Sequence, residues 1–139
     1  MRVQASFNRQ RAMHTLGVGL TSIEPGIVVL EFDYAPELTQ QHGFIHAGVL
    51  STVLDSACGY AAFSLMPVDA AVLTIEFKIN LLAPARGQRF RAIGTVKKPG
   101  RTITVAEGEM IALDGNSEKC IATMTGTLMT IVDREGVKG

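Results

Sequence analysis

The plainest pattern in the chain runs from Ala70 to Ala83, where Leu73, Ile75, Phe77, Ile79 and Leu81 alternate with Thr74, Glu76, Lys78 and Asn80. A period of two sustained that long predicts a strand with one face against a core. Gln88 to Lys97 and Arg101 to Leu113 flank a turn at Lys98, Pro99 and Gly100, and Asp114, Gly115 and Asn116 lead into Glu118 to Val132. The four segments together predict a four-stranded meander. Upstream, Gly17 to Ile23 and Gly26 to Tyr34 form a hairpin around Glu24, Pro25 and Gly26, with Val28, Leu30 and Phe32 on one side.

The period changes between these strands. From Ala47 to Leu65, Val49, Leu50, Val53, Leu54, Ala57, Cys58, Ala61, Ala62 and Leu65 fall on one stripe of a helix. Residues 5 to 15 repeat the pattern weakly through Phe7, Ala12, Met13 and Leu16, and Ala35 to Ile45 is a polar loop. The five prolines stand at element boundaries, and no linker or repeat divides the 139 residues. The expected architecture is one α+β domain over residues 1–139, with a long helix against a single antiparallel sheet.

The far side of that helix carries Ser51, Thr52, Asp55, Ser56 and Gly59 where a solvated face would carry Lys, Glu and Arg. Small side chains there predict that a wrapped sheet or a second subunit covers it. Ala47 to Met66 is long enough to cross a bilayer, but its polar residues suit a buried helix better, and no membrane association is expected. The first residues lack the apolar run of a secretion signal. Thirteen Lys and Arg balance thirteen Asp and Glu, which argues against nucleic acid as a partner. Cys58 and Cys120 have neither disulfide-framework nor zinc-ligand spacing, which points to a reducing, cytoplasmic setting.

Candidate chemistry concentrates in Gln40 to Gly59. At His46, Ala47 and Gly48 the loop becomes helix, and first-turn N–H groups there lack intrahelical acceptors. Asp55 follows about two turns later beside the apolar stripe, where burial can tune a carboxyl. Donors that polarise a carbonyl, facing a carboxylate that activates water or attacks directly, are the minimum for acyl transfer to water. On spacing alone, Asp55 is more often a residue of the polar face, His46 a capping or packing residue and Gln40 a solvated side chain. Cys58 reads as a small core hydrophobe.

HGFIHAGVLSTVLDSACGYA, together with LTIEFKINLLAPARGQRFRAIGTVKKPGRTITVAEGEM, resembles the hotdog-fold acyl-CoA thioesterases of the phenylacetate-degradation (PaaI-like) type over roughly residues 18 to 132. The resemblance implies a long central helix wrapped by one antiparallel sheet, and thioester hydrolysis with coenzyme A as part of the substrate and no metal or redox cofactor. It assigns Asp55 as the catalytic carboxylate, Gln40 as the residue positioning water or thioester, and Thr74 as the hydroxyl orienting the water. The polarising amide falls on Ala47, where the family carries glycine, and Gly48 keeps the second glycine. It further implies that Asp55 of one protomer faces the helix start of another, in a homodimer and by extension a homotetramer. His46 borders the site, Lys97, Lys98 and Arg101 with Arg86 and Arg89 would meet coenzyme A phosphates, and Phe44, Tyr60, Phe63, Met66 and Val68 would border the acyl pocket. Two rivals stay open: a hotdog dehydratase or hydratase pairing His46 with Asp55, and a non-catalytic acyl-CoA-binding module.

Overall fold

The computed structural model describes residues 2–139. Two short helices, α1 (Arg2–Arg9) and α2 (Arg11–Leu16), precede the hairpin of β1 (Gly19–Glu24) and β2 (Ile27–Asp33). The central helix α3 (Ala47–Phe63) follows, then β3 (Ala70–Leu81), β4 (Arg89–Lys98), β5 (Ile103–Asp114) and β6 (Ser117–Val132). The six strands form one antiparallel sheet in the order β1-β2-β4-β5-β6-β3, with α3 packed against it, which is the hotdog architecture.

Strand order corrects the expected four-stranded meander. Only β4, β5 and β6 follow one another, while β3 lies outside β6 at the sheet edge. Tight turn signals join β4 to β5 and β5 to β6, but Leu82–Gln88 is no hairpin turn and imposes no local pairing. It crosses the end of the sheet, tied by Leu82 N–H to the Ile121 carbonyl at 2.8 Å and by Gln88 N–H to the Leu113 carbonyl at 2.9 Å. β4 thereby takes the edge that β2 offers.

The helix sits close to the sheet because β4 and β5 present glycines to it. Gly94 pairs with Gly108. A Cβ on Gly94 would run into the Ala57 carbonyl and stand 2.7 Å from Cys58 N, both backbone atoms that cannot swing aside. Gly94→Ala should therefore destabilise the fold by about 3 kcal/mol, lowering the thermal midpoint by roughly 10 °C. Gly19→Ala, where a Cβ meets nothing within 4 Å, should leave it nearly unchanged in the same melt. Beneath the helix, Phe32 and Phe90 stack at 5.1 Å in the core.

Three further expectations are corrected. The N-terminal helix is two helices, because Gln10 leaves helical backbone at φ −83°, ψ 95° and accepts the Ser56 hydroxyl at 2.8 Å. The chain's own N-terminus therefore covers the small-residue face of α3 at Ser56, while Thr52 on that face stays exposed. The Ser6 and Tyr60 hydroxyls lie 3.2 Å apart, and Arg2 donates to the carbonyls of Phe63, Met66 and Pro67 at 2.8–3.0 Å. That guanidinium closes the helix end, so α3 stops at Phe63 and Leu65 is exposed. The third correction concerns β3, whose alternation is interrupted by a bulge between Thr74 and Glu76. On either side of it, Thr74 pairs with buried Leu128, and Ile79 with buried Met124, so all four side chains share the helix face.

Candidate active site

The bulge decides what Asp55 meets. By carrying Thr74 onto the helix face, it lets the threonine hydroxyl donate to Asp55 Oδ1 at 2.7 Å. Asp55 is half-buried, and burial raises its carboxyl above the ordinary aspartate range against the lowering effect of the Thr74 hydrogen bond. Beside it lies a cavity of about 290 Å³ walled by Ser6, Gln10 and Tyr60 and reached by Arg9. No local signal marks Ser6, Arg9 or Gln10 as site residues, because they arrive from a separate helix.

The second group gathers at the start of α3. His46 caps the helix, its Nδ1 accepting the Gly48 N–H at 2.8 Å, which fixes the remaining ring proton on Nε2. A Cβ on Gly48 would lie 3.0 Å from that nitrogen, so the glycine makes room for the cap. The Val49 and Leu50 amides bond the His46 carbonyl. Ala47 N–H is the first-turn donor that finds no acceptor among the described residues. Gln40 Oε1 accepts from His42 N–H at 2.6 Å and Phe44 N–H at 3.3 Å, shaping the loop and leaving its Nε2 as the donor end. Ala47, Gln40 and Phe44 line an apolar groove of about 510 Å³ with Leu50, Leu81 and Pro84, and the Arg86 guanidinium lies 5.2 Å from the Phe44 ring.

These halves do not meet within one chain. Ala47 and Asp55 are eight residues apart, roughly 12 Å along the helix axis, and the two cavities share no lining residue. His46 and Asp55 of one chain are likewise too far apart to exchange a proton, and His46 Nδ1 is already occupied.

Other expected residues are dispersed. Lys97 Nζ is 3.6 Å from Glu107, and Lys98 and Arg101 are exposed on the β4–β5 turn. Thr104, at the base of that turn, pairs with Leu128, the partner of Thr74, which places the hairpin at the Asp55 end of the sheet. Arg89 is committed elsewhere, bonded to Glu31 and Asp33 at 2.7–2.9 Å, and so does not stand ready for a phosphate. Phe63 and Val68 line a separate cavity beyond the closed end of α3 instead of the one beside Asp55. Cys58 is buried, and burial with help from Asp55 and Glu107 pushes its thiol up to about 12, the behaviour of an inert core residue. Among the described residues no three His, Cys, Asp or Glu side chains converge as metal ligands, and no helix is long and apolar enough to cross a membrane.

Comparison with known proteins identifies the family. The chain is 56% identical to a thioesterase family protein of Silicibacter pomeroyi, whose crystal structure matches with a TM-score of 0.93 over 94% of this chain and 96% of that one. A putative esterase of Saccharolobus solfataricus is 30% identical over 85% of this chain and 77% of its own. The medium/long-chain acyl-CoA thioesterase YigI of Salmonella typhimurium is 27% identical over 88% of this chain and 84% of its own. The family model described as Thioesterase superfamily matches residues 42–119. The family match over more than half of the chain and these relatives place the chain in the Thioesterase superfamily, as a thioester hydrolase of hotdog fold.

Proposed function

We propose that the protein hydrolyses acyl-CoA thioesters to free acid and coenzyme A at a site shared between two copies. The observation that carries this reading is the separation of Asp55 from the Ala47 amide within one chain, combined with an apolar sheet edge nothing covers. On β3 and just after it, Ile75, Phe77 and Leu82 are 51%, 42% and 58% exposed, and the outer edge of β3 pairs with no strand among the described residues. An apolar edge of that length invites a second copy, and a twofold arrangement lays one helix start beside the other's carboxyl. The acyl-CoA class follows from the resemblance to YigI. By analogy with the family, two such dimers form a tetramer.

In this mechanism the Ala47 N–H and Gln40 Nε2 polarise the thioester carbonyl. Asp55, held by Thr74, activates water or attacks the carbonyl itself, two routes that burst kinetics in isotope-labelled water distinguish. The pantetheine arm lies along the Phe44 groove, with Arg86 at its lip and Lys97, Lys98 and Arg101 as phosphate partners.

Phenylacetyl-CoA and octanoyl-CoA are the first substrates for a thiol-release assay, and release from neither would overturn the reading. Phe77→Asp, which puts a charge on the uncovered edge, should give a folded monomer by sedimentation that lacks activity. A monomer as active as wild type would remove the shared site.

A further inference from the structure

The cavity beside Asp55 is closed on one side by a strap that belongs to neither the sheet nor α1. After β6 the backbone swings back at Asp133, which has a left-handed φ of 56°, and then at a turn closed by Val137 N–H on the Arg134 carbonyl at 3.1 Å. Gly136 holds the third position of that turn at φ 78°, where a side chain would be strained. The turn brings Lys138 and Gly139 over the far end of α3, and Arg9 donates to the Gly139 oxygen. A Cβ on Gly139 would stand 2.6 Å from Phe63 Cε1 and 2.8 Å from the Ala70 carbonyl oxygen, so residue 139 is seated directly against the helix end and β3.

Lys138 and Gly139 are the two residues that line both neighbouring cavities. On one side is the cavity of about 290 Å³ beside Asp55; on the other is one of about 410 Å³ walled by Phe63, Val68, Ala70 and Val137. The strap is the partition between them. Polar groups around the nearer cavity already have partners inside its wall: Ser56 with Gln10 at 2.8 Å, Ser6 with Tyr60 at 3.2 Å, and Arg9 with Gly139. Val72 and Gly59 add carbon surface, so the cavity suits a hydrocarbon chain that runs past Asp55.

Resting on the thioesterase reading above, we propose that Lys138 and Gly139 set the length of acyl chain the enzyme accepts. In place, they stop the chain at the partition; displaced, they join the two cavities. The nearer cavity holds roughly ten water-sized groups at about 30 Å³ each, which is an acyl chain of about eight carbons. The farther one more than doubles that room, enough for a chain of about 16 carbons. The ladder of β6 ends at Val132, before the strap begins, so altering the strap leaves the sheet intact.

Straight-chain acyl-CoAs from butyryl to palmitoyl, compared by thiol release, test this. Wild-type kcat/KM should peak near octanoyl-CoA and fall by about 10-fold or more at palmitoyl-CoA. A chain that stops at Val137 should raise the palmitoyl-to-octanoyl ratio by about 10-fold, while butyryl-CoA, too short to reach the strap, changes by less than about 2-fold. Gly136→Val keeps every residue of the strap but strains its turn, and should move the ratio in the same direction. Both variants should melt within a few degrees of wild type. A ratio unmoved by both, or a wild type that hydrolyses palmitoyl-CoA as fast as octanoyl-CoA, would overturn the strap's role while leaving the hydrolase intact. Thiol release from none of the straight-chain substrates, nor from the aryl one, would instead bring down the hydrolase reading itself.

Discussion

Asp55→Asn should cut acyl-CoA turnover about 10³-fold while leaving the protein as stable as wild type or more so at neutral pH. The two effects have one cause. Burial raises the Asp55 carboxyl above its ordinary range, so the folded state holds that proton more tightly than the unfolded chain does. Below the ordinary aspartate value both states are protonated and no penalty exists. As pH rises from there through the raised value the native state must carry a half-buried charge, and stability declines across that window. Asparagine keeps an oxygen to accept the Thr74 hydrogen bond and never pays that cost. Its melting curve should therefore coincide with wild type in acid and match or exceed it above the window. Wild-type kcat should climb with pH through an inflection above the usual carboxylate range. An Asn variant that melts well below wild type at pH 7, or that retains full turnover, would show Asp55 to be structural.

Ala47→Pro should lower kcat by about 10²–10³-fold without unfolding the helix, because it deletes a single hydrogen. Proline is well suited to the first helical position, where its missing N–H is one that the helix does not use. It also demands an extended residue before it, and His46 already sits at φ −62°, ψ 137°. The substitution removes the spare donor and leaves the His46 cap on Gly48 in place. Mixing this variant with Asp55→Asn after refolding together gives a sharper result. Half the dimers are then mixed, and each has one site with an intact carboxyl and an intact amide, so activity should return to about a quarter of wild type. If each chain housed its own site, mixing two dead variants would restore nothing.

The sequence shows most clearly what depends on neighbours along the chain. Leu50, Val53, Leu54 and Ala57 repeat at helical spacing, and they are buried against the sheet as expected. The helix start at Ala47 and the stretch from Ala70 to Leu81 as a strand were legible for the same reason. What was hidden depends on partners distant in sequence. Nothing local says that β3 skips β4 to reach β6, or that a bulge at Ile75 turns Thr74 toward Asp55. Gly94 looks like an ordinary strand glycine until the Ala57 carbonyl is found against it. Gln10 ends a weak helix without any capping signature, since its partner Ser56 lies 46 residues away. Arg89 looked available because its two acidic partners, Glu31 and Asp33, belong to another strand.

β3 serves both the proposed chemistry and the proposed assembly. Thr74 on its helix face anchors the carboxyl, and its outer edge is where a second copy is proposed to join. Substitutions along this strand will therefore alter subunit affinity and turnover together, whereas those at the helix start can alter turnover alone. Such an enzyme has a threshold: diluted below the dissociation constant of its pair, its specific activity should collapse, and the concentration at which half of it remains measures how tightly the copies hold each other.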